Sequence, residues 1–184
     1  EDVISLLKEL KEKYINKFIW VELGLQTIHE STAKWMNRGY PLEVFDEAIK
    51  NLKSINIEVI VHIIIGLPGE DQKMLLETIQ HLNACQIDGV KLQLLHYLKN
   101  TRLGVQYLSN PSQYHVLEMD EYVELVTECI AHLDEHIVIH RLTGDGNAED
   151  LIAPLWSTDK RRVLNLINHM LKIKSYTQGC KLSK

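Results

Sequence analysis

Ile57-Glu58-Val59-Ile60-Val61-His62-Ile63-Ile64-Ile65-Gly66-Leu67-Pro68-Gly69 decides the fold. Its first nine residues are nearly all Val or Ile, a composition that favours an extended chain. A run so apolar suits a parallel strand covered on both faces. Gly66 to Gly69 forms a sharp turn, after which Met74, Leu75, Thr78, Ile79 and Leu82 recur at helical spacing.

The same alternation extends outward from this strand. Upstream, Val3, Leu6, Leu7 and Leu10 mark a helix, Phe18–Gln26 a strand, and Ser31–Met36 a short helix. Pro41 suits the first position of the next helix, whose apolar stripe is Val44, Ala48, Ile49 and Leu52. Downstream, Val90–Tyr97 reads as a strand, Leu98 to Tyr114 as irregular, and Met119, Val123, Val126, Ile130 and Leu133 as a helix. Ile137–Leu142 is a fourth strand, the loop from Gly144 to Asn147 follows, and Val163, Leu164, Ile167, Met170 and Leu171 mark the last helix. This order implies βαβ units and a parallel sheet, bent into part of a TIM-like (β/α) barrel truncated at its N-terminal side. Residues 1–143 would form the barrel part, and 144–184 a helical extension packed on it.

Composition narrows the class. The chain has 184 residues, 45% hydrophobic and 24% charged, which suits a folded domain. No apolar run is long enough to span a bilayer. Cys85, Cys129 and Cys180 lie far apart, which argues against a disulfide framework and suits a cytoplasmic location. Cys85 and Cys129 read as small apolar residues on helices. The net charge of −5 disfavours nucleic acid as a partner of the whole chain. Lys160, Arg161, Arg162, Lys172, Lys174, Lys181 and Lys184 nevertheless cluster without an acid among them. A solvated helix face with a loose tail explains them, and an RNA contact through 160–184 is the alternative.

Each strand carries polar residues that a packed core would exclude: Glu22 and Gln26, His62, Lys91 and Gln93, then His140 and Arg141. Burying such a group unpaired costs roughly 1–3 kcal/mol. Four strands sharing the feature imply a polar interior that receives a ligand. His132, His136 and His140 are spaced by four, but a strand begins at Ile137, so no metal site is expected from this chain. Gly66-x-x-Gly69 lacks both the P-loop and the dinucleotide spacing.

Two segments resemble the radical S-adenosylmethionine (SAM) superfamily, especially its branch with coproporphyrinogen dehydrogenase, the Elongator catalytic subunit and the methylthiotransferases. Val21-Glu22-Leu23-Gly24-Leu25-Gln26-Thr27, followed by Met36-Asn37-Arg38-Gly39-Tyr40, is similar to the fourth barrel strand and the element after it. His62 to Glu70 is similar to the fifth strand and its G-L-P-G-E loop. Arg141 to Asp145 and Leu151 to Trp156 resemble a narrower group of bacterial Fe–S oxidoreductases of unassigned reaction. The resemblance implies SAM and a 4Fe–4S cluster as cofactors. It implies that Gln26 contacts SAM, that Arg38 meets its carboxylate or ribose, that His62 approaches the ribose or adenosine, and that Gly66 and Pro68 shape the adenine side. Strand parity adds Lys91, Gln93, His140 and Arg141 on the substrate side. The family's C-x-x-x-C-x-x-C is absent here. The resemblance would put it before residue 1, so the chain alone is expected to be inactive. The competing readings are a cluster-independent lyase or isomerase using Lys91 and a non-catalytic RNA-binding module.

Overall fold

A computed structural model describes residues 2–144, 146 and 148–182. The expected helices and strands are present. Helix α1 (Val3–Lys13) leads into β1 (Trp20–Gln26), α2 (Glu30–Trp35), α3 (Leu42–Ser54) and β2 (Glu58–Ile65). Then come α4 (Gln72–Ala84), β3 (Gly89–Leu94), β4 (Tyr97–Leu98), α5 (Arg102–Ser109), α6 (Met119–His132), β5 (Val138–Arg141), β6 (Leu151–Ala153) and α7 (Lys160–Lys174). Pro41 is the N-cap of α3 and not its first residue. Asp71 starts α4 by accepting from the Met74 amide at 2.9 Å, and Glu118 and Glu121 form a capping box on α6.

The main sheet is parallel with the order β1-β2-β3-β5. Among the described residues it does not close into a barrel, and β1 and β5 are its edges. Contrary to the expectation for β2, only one face lies in the helix-packed core. Val59, Val61, Ile63, Val90 and Leu92 are fully buried there, in one cluster with Phe45 and Ile49 of α3, Leu75 and Ile79 of α4, and Val126 of α6. Each such side chain contributes about 1.5–3 kcal/mol through burial. On the opposite face His62, Ile64, Lys91 and Gln93 are only half-buried. Apolar side chains also stand exposed around β1, with Phe18 at 65% and Trp20 at 49%.

The segment from Leu98 to Tyr114 is not irregular. It holds β4, α5 and a single turn at Pro111–Gln113. Thr101 caps α5 by accepting from the Gly104 amide. Gly104 is needed for close approach, because a Cβ there would lie 2.0 Å from the Leu98 carbonyl oxygen. β4 pairs antiparallel with β6, so the stretch expected to form a helical extension also contributes a strand.

The C-terminal tail is tied down as far as Leu182. Gln178 Nε2 donates to the carbonyls of Asp134 and Ile137, each at 2.7 Å, and the Lys181 amide donates to Ala131. Lys174 and Lys181 both pair with Glu128 of α6, whose side chain is 7% exposed. The basic cluster is therefore partly neutralised. Arg161 and Arg162 remain exposed, and Lys184, like Asp145 and Asn147 of the glycine loop, lies outside the described residues.

Candidate functional site

Register builds the site from residues far apart in sequence. Gly24 lies opposite His62, His62 opposite Lys91, and Ile64 opposite Gln93. Paired residues point to the same side, so Glu22, His62 and Lys91 share the open face. The Glu22 Oε2 accepts from Lys91 Nζ at 2.6 Å and contacts His62 Nε2 at 2.7 Å. The Lys91 ammonium, helped by His62, holds the Glu22 carboxyl down at about 2, from an ordinary 4.5. Any stability from this lowered value is present above pH 4.5 and is lost as pH falls through about 2. A carbon-13 titration of the Glu22 carboxyl should accordingly give a midpoint near 2, whereas an ordinary midpoint would mean that the cluster is not formed.

The neighbouring polar residues extend this face. Arg141 lies opposite Lys91. A Cβ on Gly89 would lie 2.6 Å from the His140 ring, so that ring lies over Gly89. The substrate-side candidates Lys91, Gln93, His140 and Arg141 are thus gathered with His62. Glu22, the hub of the cluster, was visible in the sequence only as one polar strand residue among several.

The end of β1 is built around Gln26, which has φ = 67°. The Thr27 amide donates to the Leu25 carbonyl at 2.9 Å, closing a three-residue turn with Gln26 at its centre. A γ-turn with positive φ is rare and strained. The side chain folds back over Gly24, where a Cβ would lie 2.6 Å from Gln26 Nε2. Gln26 Oε1 is buried and has no hydrogen-bond donor among the described residues. A buried acceptor without a donor is costly, and here it sits on a strained backbone at a strand end.

Arg38 holds this turn. Its Nη1 donates to Thr27 O at 2.6 Å and Leu25 O at 3.4 Å, its Nε to Tyr40 O, and its Nη2 to Glu30. Tyr40 Oη donates to Gly24 O. The Arg38 side chain is 2% exposed. Among the described residues the partners of Arg38 are these internal groups, whereas the resemblance implies a contact with a SAM carboxylate or ribose. Thr27 Oγ1 donates to Glu70 Oε1 at 2.6 Å, joining the turn to the glycine loop after β2.

Gly66 and Gly69 both have positive φ, 88° and 83°. With Pro68 they line a cavity of about 320 Å³ that also touches His115 and Leu117. Leu117 packs on Gly66, at 2.8 Å from where a Cβ would stand, so this glycine admits a side chain of the chain itself. A second space, about 330 Å³, is lined by Trp35, Met36, Asn37, Leu67, Leu95 and Arg102.

The cysteines do not form a cluster site. Cys129 is buried on α6, which pushes its thiol up, and Cys180 is exposed beyond α7. Cys85, at the end of α4, is not simply apolar. Its thiol donates to Asp46 Oδ1 and is pushed up to about 11 by burial and by Asp46. His132 and His136 are not brought together with His140 in any group of possible metal ligands among the described residues.

Two family models match in tandem. The "Radical SAM superfamily" model matches residues 1–82, and the "Radical_SAM C-terminal domain" model matches residues 87–172. YtqA, an uncharacterized protein of Bacillus subtilis, is 39% identical over 179 residues, covering 97% of this chain and 54% of YtqA. MJ0486 of Methanocaldococcus jannaschii, also uncharacterized, is 32% identical over 164 residues, covering 89% of this chain and 50% of MJ0486. The chain thus spans about half the length of these relatives. The structure of Methanocaldococcus infernus Elp3 with an N-terminal deletion superposes with a TM-score of 0.75 at 19% identity, covering 93% of this chain and 40% of Elp3, which shows a shared fold.

Proposed function

The chain belongs to the radical SAM superfamily, and from that premise we propose that its open sheet face is the SAM- and substrate-facing part of an enzyme that cleaves SAM reductively. The observation that carries this reading is Gln26 Oε1, a buried acceptor without a donor among the described residues, on a strained turn that Arg38 and Tyr40 hold in place. An acceptor in need of a donor suits SAM's ammonium or ribose hydroxyls. Gly24 supplies the space in which the Gln26 amide lies. SAM and a 4Fe–4S cluster, if held here by the whole protein, would supply radical chemistry to a substrate, while these residues bind and orient. The cluster's cysteines would come from residues outside this chain, since Cys85, Cys129 and Cys180 lie on separate elements.

The chain's own residues bind and orient. His62 lies opposite Gly24 on the cofactor side. Trp35, Met36, Leu67 and Leu95 offer apolar walls for an adenine ring. Lys91, Gln93, His140 and Arg141 face the substrate, with Glu22 fixing Lys91 and His62 in place. That pairing makes Lys91 an ion-pair partner and not the unpaired, desolvated amine a Schiff-base mechanism needs, which disfavours the lyase reading. Remaining barrel strands from the whole protein would cover the half-buried face and the exposed Phe18 and Trp20, because parallel sheets are normally covered on both sides.

Gly24→Ala tests the site with little disturbance to the core. The added Cβ meets only the far end of the Gln26 side chain, so stability should fall by less than about 1 kcal/mol. The displaced amide should weaken SAM binding to the whole protein several-fold in equilibrium dialysis. Unchanged affinity would remove Gln26 from the cofactor site.

A further inference from the structure

We propose that Asp46, His81 and Cys85 form a binding site for a divalent transition cation of the Zn²⁺ class, clipping α3 to α4. Asp46 lies on α3, and His81 and Cys85 are four residues apart at the end of α4, a spacing that puts both on one helix face. His81 Nε2 lies 2.8 Å from Asp46 Oδ1, and Cys85 Sγ 3.8 Å from the same oxygen. All three ligand atoms fall within 4.8 Å of one another.

Nitrogen, oxygen and sulfur ligands at ordinary zinc distances in a tetrahedron stand about 3.3–3.6 Å apart. The observed separations lie on both sides of that range. Opening the His81–Asp46 contact by about 0.5 Å, with a matching closure of the thiol, would admit the ion. Side-chain rotation can supply such shifts without moving either helix. The donor set is one imidazole, one carboxylate and one thiol, which suits zinc better than the oxygen-seeking Mg²⁺ or Ca²⁺. Each ligand residue is half-buried, so the site is shielded yet reachable, and its fourth position would go to water. Lys50, one turn beyond Asp46 on α3, is the cation acting on the Cys85 thiol, and the bound ion would have to tolerate it.

The two helices belong to the layer that packs on the buried face of the sheet, so the site is separate from Gln26 and the Glu22 cluster. It stands or falls independently of the SAM reading.

The test is alkylation of the anaerobic whole protein by iodoacetamide, followed peptide by peptide in a mass spectrometer, with and without stoichiometric Zn²⁺. Zinc should slow modification of Cys85 at least tenfold and leave the exposed Cys180 unchanged. The protection should vanish in the double variant Asp46→Asn, His81→Ala. Equal Cys85 rates with and without zinc in the unsubstituted protein would overturn the proposal, whatever the variant's folding. Protection that persists in the double variant would also overturn it, by showing a bare thiol–zinc contact.

Discussion

Arg38→Ala should cost about 3 kcal/mol of stability, read as a fall in melting temperature of roughly 6–12 °C by circular dichroism. The guanidinium is 2% exposed and serves three carbonyls, those of Leu25, Thr27 and Tyr40, besides Glu30. Removing it leaves those acceptors short of a donor where water has little access, at about 1–3 kcal/mol each and less than additively. Glu30 is 42% exposed and can turn to solvent, so it adds little. Arg38→Lys should recover only a small part, because a single ammonium cannot span Leu25 O and Thr27 O while also reaching Tyr40. A loss below about 1 kcal/mol would mean that the turn at Gln26 is held by other means.

Gln26→Gly should move stability and binding in opposite directions. Gln26 has φ = 67°, a conformation that a non-glycine residue holds at a cost of order 1–3 kcal/mol. Glycine adopts it freely, although it also loosens the unfolded chain, so a net gain of about 1 kcal/mol is expected. The same change removes the amide whose Oε1 lacks a donor among the described residues. SAM affinity of the whole protein should fall tenfold or more. Strain kept at a binding site for function predicts this pairing of effects. A loss of stability with unchanged SAM affinity would make Gln26 a structural residue.

The four parallel strands were legible because apolar runs and their parity carry most of the signal. Glu58–Ile65 falls within one residue of its expected bounds. Parity also placed His62, Lys91 and Gln93 on one face. It did not show that Glu22 would bond to His62 and Lys91, because alternation gives the face of a residue and not its neighbour on the next strand. Only the register, with Gly24 opposite His62 and His62 opposite Lys91, makes that contact.

Other features were hidden for different physical reasons. Gly104 looks like a helix breaker, yet it permits α5 to approach Leu98. Its cap, Thr101, was the available signal for the helix. The β4–β6 pairing joins two very short strands far apart in sequence. Arg38 illustrates another limit. The resemblance gives Arg38 a ligand contact, whereas its burial and its bonds to backbone carbonyls appear only in the folded chain. His81 and Cys85 share a helical spacing that the sequence displays, but Asp46 comes from a different helix.

The central claim is that this sheet face serves reductive cleavage of SAM. It is tested by incubating the anaerobic whole protein, its cluster reconstituted, with SAM and dithionite, and measuring 5′-deoxyadenosine by mass spectrometry. The expected result is 5′-deoxyadenosine from the unsubstituted protein and at least tenfold less from Gln26→Gly at subsaturating SAM. No 5′-deoxyadenosine from protein with an intact 4Fe–4S signal would contradict it.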